Sequence, residues 1–451
     1  MRATIGFLCV VLLTPPLLAA QDVAAYQPAA DRIIAAALSD SQAYARLAEL
    51  ADRFGHRLSG SESLERAIDW ILAAMQRDSL QNVRGEPVMV PHWVRGRESA
   101  EVVLPALRPL PMLGLGGSIG TPRGGITADL LVVSSFADLE ARAAEARGKI
   151  VLFDVPFTGY GATVQYRTRG AVAAARAGAV ASLIRSVTPF SMRSPHTGQM
   201  TYDSTVRRIP HAAITVEDAM WLHRLQDRGE RIRVRLEMGA TTLPDAPSRN
   251  VVAELVGRER PDEVVVLGGH IDSWDVGQGA MDDAGGSVAA WEAVRLLKRL
   301  GLVPRRTLRV VMWTNEENGL RGGLAYRDAH AAELDRHVLA IESDGGVFKP
   351  EGFGFGGSDS AFAIVKAVGA LLKGIDADSI SRPGGGADIG PLMQRGVPGM
   401  GLDVAGERYF WYHHSNGDTV DKLDPREMAQ CVAVLAIMAY VVADLPQALP
   451  R

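Results

Sequence analysis

Five short segments in the C-terminal half pair apolar runs with groups that bind cations or move protons. His270 ends the run Val264-Val265-Val266-Leu267-Gly268-Gly269, and Asp272 follows two residues on. Asp282 and Asp283 lie in Gly279-Ala280-Met281-Asp282-Asp283-Ala284-Gly285-Gly286, Glu316 and Glu317 follow the run 308–313, and Asp344 follows 338–341. His413 and His414 stand in Trp411-Tyr412-His413-His414-Ser415-Asn416-Gly417-Asp418-Thr419. Imidazole nitrogen and carboxylate oxygen are the donors an open catalytic Zn²⁺ site takes. Paired ions about 3.5–4 Å apart can share one carboxylate and one water, which makes hydrolysis by a bridging water the matching chemistry. In this reading Asp282 bridges two Zn²⁺, His270 and Asp344 complete one ligand set, and Glu317 and His414 the other. Asp283 and His413 are the alternatives at the bridge and at the second histidine. Glu316 is left as general base, because adjacent side chains point in different directions. In an extended segment Asp272 shares a face with His270. There it would accept the imidazole's second N–H and fix the tautomer.

These groups need a scaffold that brings the ends of separate segments together. From Asn250 onward the sequence predicts strands at 250–256, 263–268, 307–313, 337–342 and 399–403, alternating with helices at 284–300, 322–334, 358–372 and 425–443. Val/Leu-rich strands alternating with helices indicate an α/β fold, a mixed but mostly parallel sheet with helices on both faces. In such sheets ligands bind at the carboxyl ends of strands, where His270, Glu316, Glu317 and Asp344 fall.

Residues 28–77 read as mostly helical, with Ser61 as N-cap of a helix running to Met75. Residues 82–104 read as two strands. The stretch 105–125 is rich in proline and glycine and suits a domain crossing. Strands are expected near 129–133, 149–153, 181–185 and 232–238, and helices near 169–177 and 214–227, with a linker over 241–248. The resulting division is 1–20, a signal segment; 21–107, the N-terminal part of the main domain; 108–245, an inserted α/β domain; and 246–451, the rest of the main domain. Gly384-Gly385-Gly386 reads as a flexible loop or a lining of the cleft, and the aromatic run 409–412 as core or cleft wall.

Arg2, the apolar run 5–18 and Ala19-Ala20 read as an export signal. Without Cys9, which lies in that segment, Cys431 is left in a helical stripe with Met428, Leu435, Met438 and Val442 and reads as core packing. No long uninterrupted apolar run follows, so no membrane span is expected. A net charge of −4 over 451 residues gives no basic excess that would argue for nucleic acid.

The set His270-x-Asp272, Asp282-Asp283, Glu316-Glu317, Asp344 and His414 resembles the di-zinc aminopeptidase and glutamate-carboxypeptidase family. The spacing from His414 to Asp418-Thr419 also matches that family's motif. Gly148-Lys149-Ile150-Val151-Leu152-Phe153-Asp154 and Ala175-Arg176-Ala177-Gly178-Ala179 resemble a protease-associated insert. The resemblance covers nearly all the chain after the signal. It implies a zinc-exopeptidase fold, two Zn²⁺, and cleavage of dipeptides or terminal residues of short peptides, in a carboxypeptidase or dipeptidase sense. An aminopeptidase is the alternative; a one-zinc glutaminyl-cyclase-like acyltransferase and a non-catalytic receptor-like relative are further ones. Arg382, Arg395 and Arg408 are candidates for the substrate carboxylate, and a homodimer is a possible assembly.

Overall fold

The computed structural model describes residues 23–451; the segment 1–20 read as an export signal, with Cys9, lies outside them. One eight-stranded sheet has the order Gln81–Val94, Thr241–Leu255, Arg306–Trp313, Arg260–His270, His337–Glu342, Gly399–Val404, Pro350–Gly356, Ser379–Ser381. Arg306–Trp313, Arg260–His270, His337–Glu342 and Gly399–Val404 run parallel, while Thr241–Leu255 and Pro350–Gly356 join antiparallel. Alternate residues feed opposite faces. Val265, Leu267, Val310 and Met312 enter a core with the helices Gly285–Arg299 and Pro425–Asp444, whereas Val264, Val266, Val311 and Trp313 pack with Tyr326, Ile389 and Leu392. Burial on both faces is what the continuous apolar runs require.

The N-terminal helices Gln27–Leu38, Gln42–Phe54 and Glu62–Arg77 cover the first face. Ser61 caps the third, its hydroxyl accepting from the Leu64 amide at 3.2 Å. Pro425–Asp444 is long and apolar enough to cross a membrane, yet it is buried in this core, where the Cys431 thiol donates to the Phe348 carbonyl.

A second eight-stranded sheet is built wholly from strands between Glu98 and Met238. Its parallel centre is Ile126–Val133, Ile150–Phe153, Ala181–Arg185 and His211–Ile214, with Tyr160–Arg176 and Val216–Asp227 on its faces. It takes in Glu98–Leu104, ahead of the Pro/Gly-rich stretch. The chain crosses between the sheets at Arg95-Gly96-Arg97 and again at Gly239-Ala240. There the Gly239 amide donates to the Arg97 carbonyl at 2.8 Å, and Gly96, at φ +68°, lies too close to Gly239 for a side chain.

Three readings of the sequence need correction. The expected linker 241–248 is the first half of Thr241–Leu255, held as a strand by pairing with Gln81–Val94. Pro350–Gly356 and Ser379–Ser381 were not foreseen: one is glycine-rich and the other three residues long, so neither has a readable period. Tyr160–Arg176 begins nine residues before the expected start, because Gly161, Thr163, Val164 and Thr168 are weak helix formers that tertiary packing overrides.

Candidate metal centre and active site

Arg306–Trp313, Arg260–His270 and His337–Glu342 are neighbours in the sheet and parallel, so their carboxyl ends lie side by side. That adjacency brings together His270, the last residue of its strand, Glu316-Glu317 just past Trp313, and Asp344 just past Glu342. Asp282 arrives from the turn before Gly285–Arg299, and His414 from the loop after the short helix Tyr409–Tyr412. Gly269 and Gly286 permit the close approach: a Cβ on either would overlap the Asp283 carboxylate and the Ser343 carbonyl.

His270 Nε2 lies 3.1 Å from Asp282 Oδ1 and 3.3 Å from Asp344 Oδ1. His414 Nε2 lies 3.3 Å from Asp282 Oδ2 and 3.0 Å from Glu317 Oε2. Asp282 thus turns one oxygen to each group. Asp282 Oδ2 and Asp344 Oδ1 are buried and make no hydrogen bond. Donors held about 2.0–2.1 Å from a tetrahedral ion lie about 3.3–3.4 Å from one another. The spacings found here are close to that, so the donor set fits divalent cations on either side of Asp282.

The electrostatics agree. Burial opposes charge on both imidazoles, yet the Asp344 and Asp282 carboxylates hold the pKa of His270 well above its ordinary value, and Glu317 with Asp282 lifts that of His414 to about 9. Burial would raise the Asp282 pKa, but the imidazoles of His270 and His414 beside its two oxygens hold it well below the usual carboxylate range. Such a nest favours positive charge at its centre. Burial pushes the pKa of Glu316, Glu317 and Asp344 upward, that of Glu316 well above normal with Asp344 and Glu317 adding to it and His270 opposing.

The alternatives separate by what they touch. Asp283 turns away from the pair: its oxygens accept the amides of His270 and Gly286, both at 3.1 Å. His413 Nε2 comes only to 3.6 Å of Asp282, and its ring is packed among Tyr160, Tyr409 and Phe410. Asp272 does not hold His270 in the way expected. His270 Nδ1 donates to the Asp272 main-chain carbonyl at 2.9 Å, while the Asp272 carboxylate lies 3.7 Å off. The strand ends at His270, so the two-residue alternation no longer applies. That carboxylate accepts the amides of Glu316 at 3.1 Å and Glu317 at 3.3 Å, fixing the turn that carries both glutamates.

Several supporting groups escaped the sequence reading. The Asp418 carboxylate accepts the amides of Ala280, Met281 and Asp282 at 3.0, 2.7 and 3.2 Å; its place in the His414 motif was the available signal. Trp274 donates its amide to Glu317 at 3.2 Å and packs beside His414. From the second unit, Arg167 Nη1 lies 3.3 Å from His414 Nδ1, and the Thr197 amide donates to the His414 carbonyl at 2.9 Å. Nothing in the sequence singled out these last two, since they reach the site only through packing. Arg382, by contrast, is exposed and paired with Asp359 at 2.6 Å, Arg408 is paired with Glu427 at 3.1 Å, and Arg395 is exposed. The Gly384-Gly385-Gly386 loop is anchored rather than free: Gly384 packs on the backbone of Gly354, and the Ala387 and Ile389 amides beyond it donate to Glu342 at 2.8 and 2.9 Å. The aromatic run is partly buried, with Phe410 stacked on Tyr160 and Trp411 on Phe190 of the second unit.

Comparison with known proteins agrees with this geometry. Residues 250–439 match the model of peptidase family M28. The chain is 50% identical to carboxypeptidase Q of Mus musculus over 434 residues, 96% of this chain and 92% of that protein. It is also 50% identical to carboxypeptidase Q of Homo sapiens over 413 residues, 92% of this chain and 88% of that one. The crystal structure of a peptidase M28 precursor from Shewanella amazonensis superposes with a TM-score of 0.91 at 36% identity, covering 95% of this chain and 99% of that one. The fold alone is shared with a zinc aminopeptidase of Bacillus subtilis, TM-score 0.68 at 20% identity, over 90% of this chain and 95% of that one. With half of its residues identical to such relatives over nearly its whole length, this chain belongs to peptidase family M28.

Proposed function

We propose that the chain is an exported zinc exopeptidase that hydrolyses dipeptides or removes C-terminal residues from short peptides. One observation carries the reading: Asp282 turns one oxygen to His270 and the other to His414, with Glu316 beside His270, Asp344 and Glu317. Two Zn²⁺ would be held by His270, Asp282 and Asp344 and by Asp282, Glu317 and His414. Bound zinc supplies a lowered pKa for water and polarisation of the peptide carbonyl. Glu316 takes the proton of the attacking water and passes it to the leaving amine. Asp272 keeps Glu316 and Glu317 in register through their amides. Glu316→Gln should retain zinc and lose nearly all turnover. Full activity in that variant would refute the assignment of the base.

The direction of cleavage rests on Arg167. An imidazole that binds a cation through Nε2 carries its proton on Nδ1, so His414 offers the guanidinium no acceptor. Arg167 is buried, its Nε makes no hydrogen bond, and its Nη2 donates to the Tyr160 hydroxyl at 2.7 Å. Nη1 has a long bond to the Thr197 carbonyl at 3.4 Å, and a substrate carboxylate would satisfy the unpaired Nε and strengthen the pairing of Nη1 in a charge-assisted pair. The unit between Glu98 and Met238, which we read as a protease-associated-like insert, would then supply the terminus-binding group. Free, N-blocked and C-blocked dipeptides test this. Cleavage of the N-blocked but not the C-blocked substrate is expected of a carboxypeptidase, and a requirement for both free ends of a dipeptidase. Cleavage of the C-blocked substrate alone overturns the direction. N-terminal sequencing of the exported protein tests removal of residues 1–20.

A further inference from the structure

Arg57 lies in the Gly55-His56-Arg57-Leu58-Ser59-Gly60 link between Gln42–Phe54 and Glu62–Arg77, far in sequence from every donor named above. It is fully buried, with 0% exposure. Among the described residues no carboxylate meets it directly. Its guanidinium donates instead to four main-chain carbonyls: Nε to Ile271 at 2.8 Å, Nη1 to Gly55 at 2.8 Å and Gln278 at 2.7 Å, and Nη2 to Gly279 at 2.8 Å. The Arg57 amide also donates to the Ser273 hydroxyl at 2.9 Å, and the Ser273 amide donates back to the Arg57 carbonyl at 3.2 Å.

The acceptors mark out one loop. Ile271 follows His270, and Gln278-Gly279 stand just before Asp282, so the guanidinium ties the start of the loop to its end. At that end the Asp418 carboxylate takes the next three amides, Ala280 to Asp282. A cation thus collects the carbonyls of this loop and an anion its amides. Asp283 and Ser287 bond the His270 backbone to the helix start, while Arg57 joins the two ends of the intervening loop, and strand end and helix start must agree for His270 and Asp282 to face the same ion.

We propose that Arg57 is a positioning residue for the cation held by His270, Asp282 and Asp344, acting by closing the loop 271–281. The proposal rests on the two-ion reading above. It goes further in assigning a role to a segment remote from the ligands. A lysine retains the charge but cannot span the fan of acceptors; a methionine retains volume and apolar packing without either.

The test is Co²⁺ titration of the metal-free full-length protein and of its Arg57→Lys and Arg57→Met variants, followed by visible absorption. His270→Ala and His414→Ala serve as references that assign each binding step. Loss of a group that orients a metal ligand typically weakens binding about 10–100-fold. The expected result is a loss of that size in the step abolished by His270→Ala, an altered absorption band for that ion, and a smaller loss in the step abolished by His414→Ala, because Asp282 serves both positions. Activity of Arg57→Lys should recover as metal is raised, which a general folding defect would not do. If Arg57→Met is not recovered folded, the Arg57→Lys titration decides. Unchanged titrations and spectra in a folded variant overturn the proposal. A wild-type chain that binds no Co²⁺ refutes instead the metal reading on which it rests.

Discussion

Asp272→Asn changes one oxygen to an NH₂ group at a position where two backbone amides point at two different oxygens. Oδ1 accepts from Glu316 and Oδ2 from Glu317, and the side chain is fully buried. An asparagine places a donor against one of those amides. Leaving a buried donor unpaired costs about 1–3 kcal/mol, and the surviving bond drops from the charged-acceptor range of about 1.5–3 kcal/mol toward about 1. The combined loss is about 2–4 kcal/mol, a large part of the roughly 5–15 kcal/mol that separates folded from unfolded chains. The damage is also directional, because the freed turn carries Glu316 and Glu317. We expect kcat/KM to fall about 10–100-fold in the metal-saturated variant, with the metal at Glu317 and His414 weakened and the one at His270 largely retained. Urea denaturation gives the first quantity, peptide hydrolysis the second, and metal titration against His270→Ala and His414→Ala the third. If Asp272→Asn instead weakened only the metal at His270, the carboxylate would be acting on the imidazole after all, and the reasoning from the amides would fail.

Three further outcomes can be measured. His337 is buried, with Nδ1 donating to the Glu333 carbonyl and Nε2 accepting from the Tyr326 hydroxyl, and burial lowers its pKa from 6.5 to about 4. A depressed histidine contributes fully above its unfolded pKa and loses that contribution as pH falls from 6.5 toward 4, so the stability difference between wild type and His337→Gln should shrink by about 2 kcal/mol from pH 7 to pH 5; a difference independent of pH would contradict this. A chelator should lower the melting temperature at pH 7, since an ion present at a thousand times its Kd stabilises by about 4 kcal/mol; coincident melting curves would argue against bound metal. A Cβ on Gly116 would overlap the Trp274 indole, which packs on His414, so Gly116→Ala should cost about 1–3 kcal/mol and reduce kcat/KM at least tenfold while leaving the His270 metal in place. Wild-type kinetics from that variant would show that the indole is not needed to hold His414 and Glu317.

Much of the site could be read from the chain because the donors follow apolar runs that can only be strands buried on both faces. His270, Glu316, Glu317 and Asp344 are placed by that rule, and the order of strands and helices after Asn250 follows from period and length. The same logic failed where a local rule ended. Asp272 was put on the His270 face by an alternation that stops at His270, and Thr241 to Ser248 read as a linker because its partner strand lies far away in sequence.

The sequence by itself determined the kind of chemistry, since residue types and their positions after strands are local properties. Only the tertiary structure decided which neighbour in each adjacent pair does what. Asp282 rather than Asp283 turns both oxygens toward histidines because Asp283 is spent on backbone amides. His414 rather than His413 faces Glu317 because aromatic rings hold the other. Arg57 and Arg167 became visible only in three dimensions. Each reaches the site across more than 200 residues of chain, Arg57 by a hydrogen bond to the Ile271 carbonyl and Arg167 by its approach to His414, and no local pattern encodes a contact of that range.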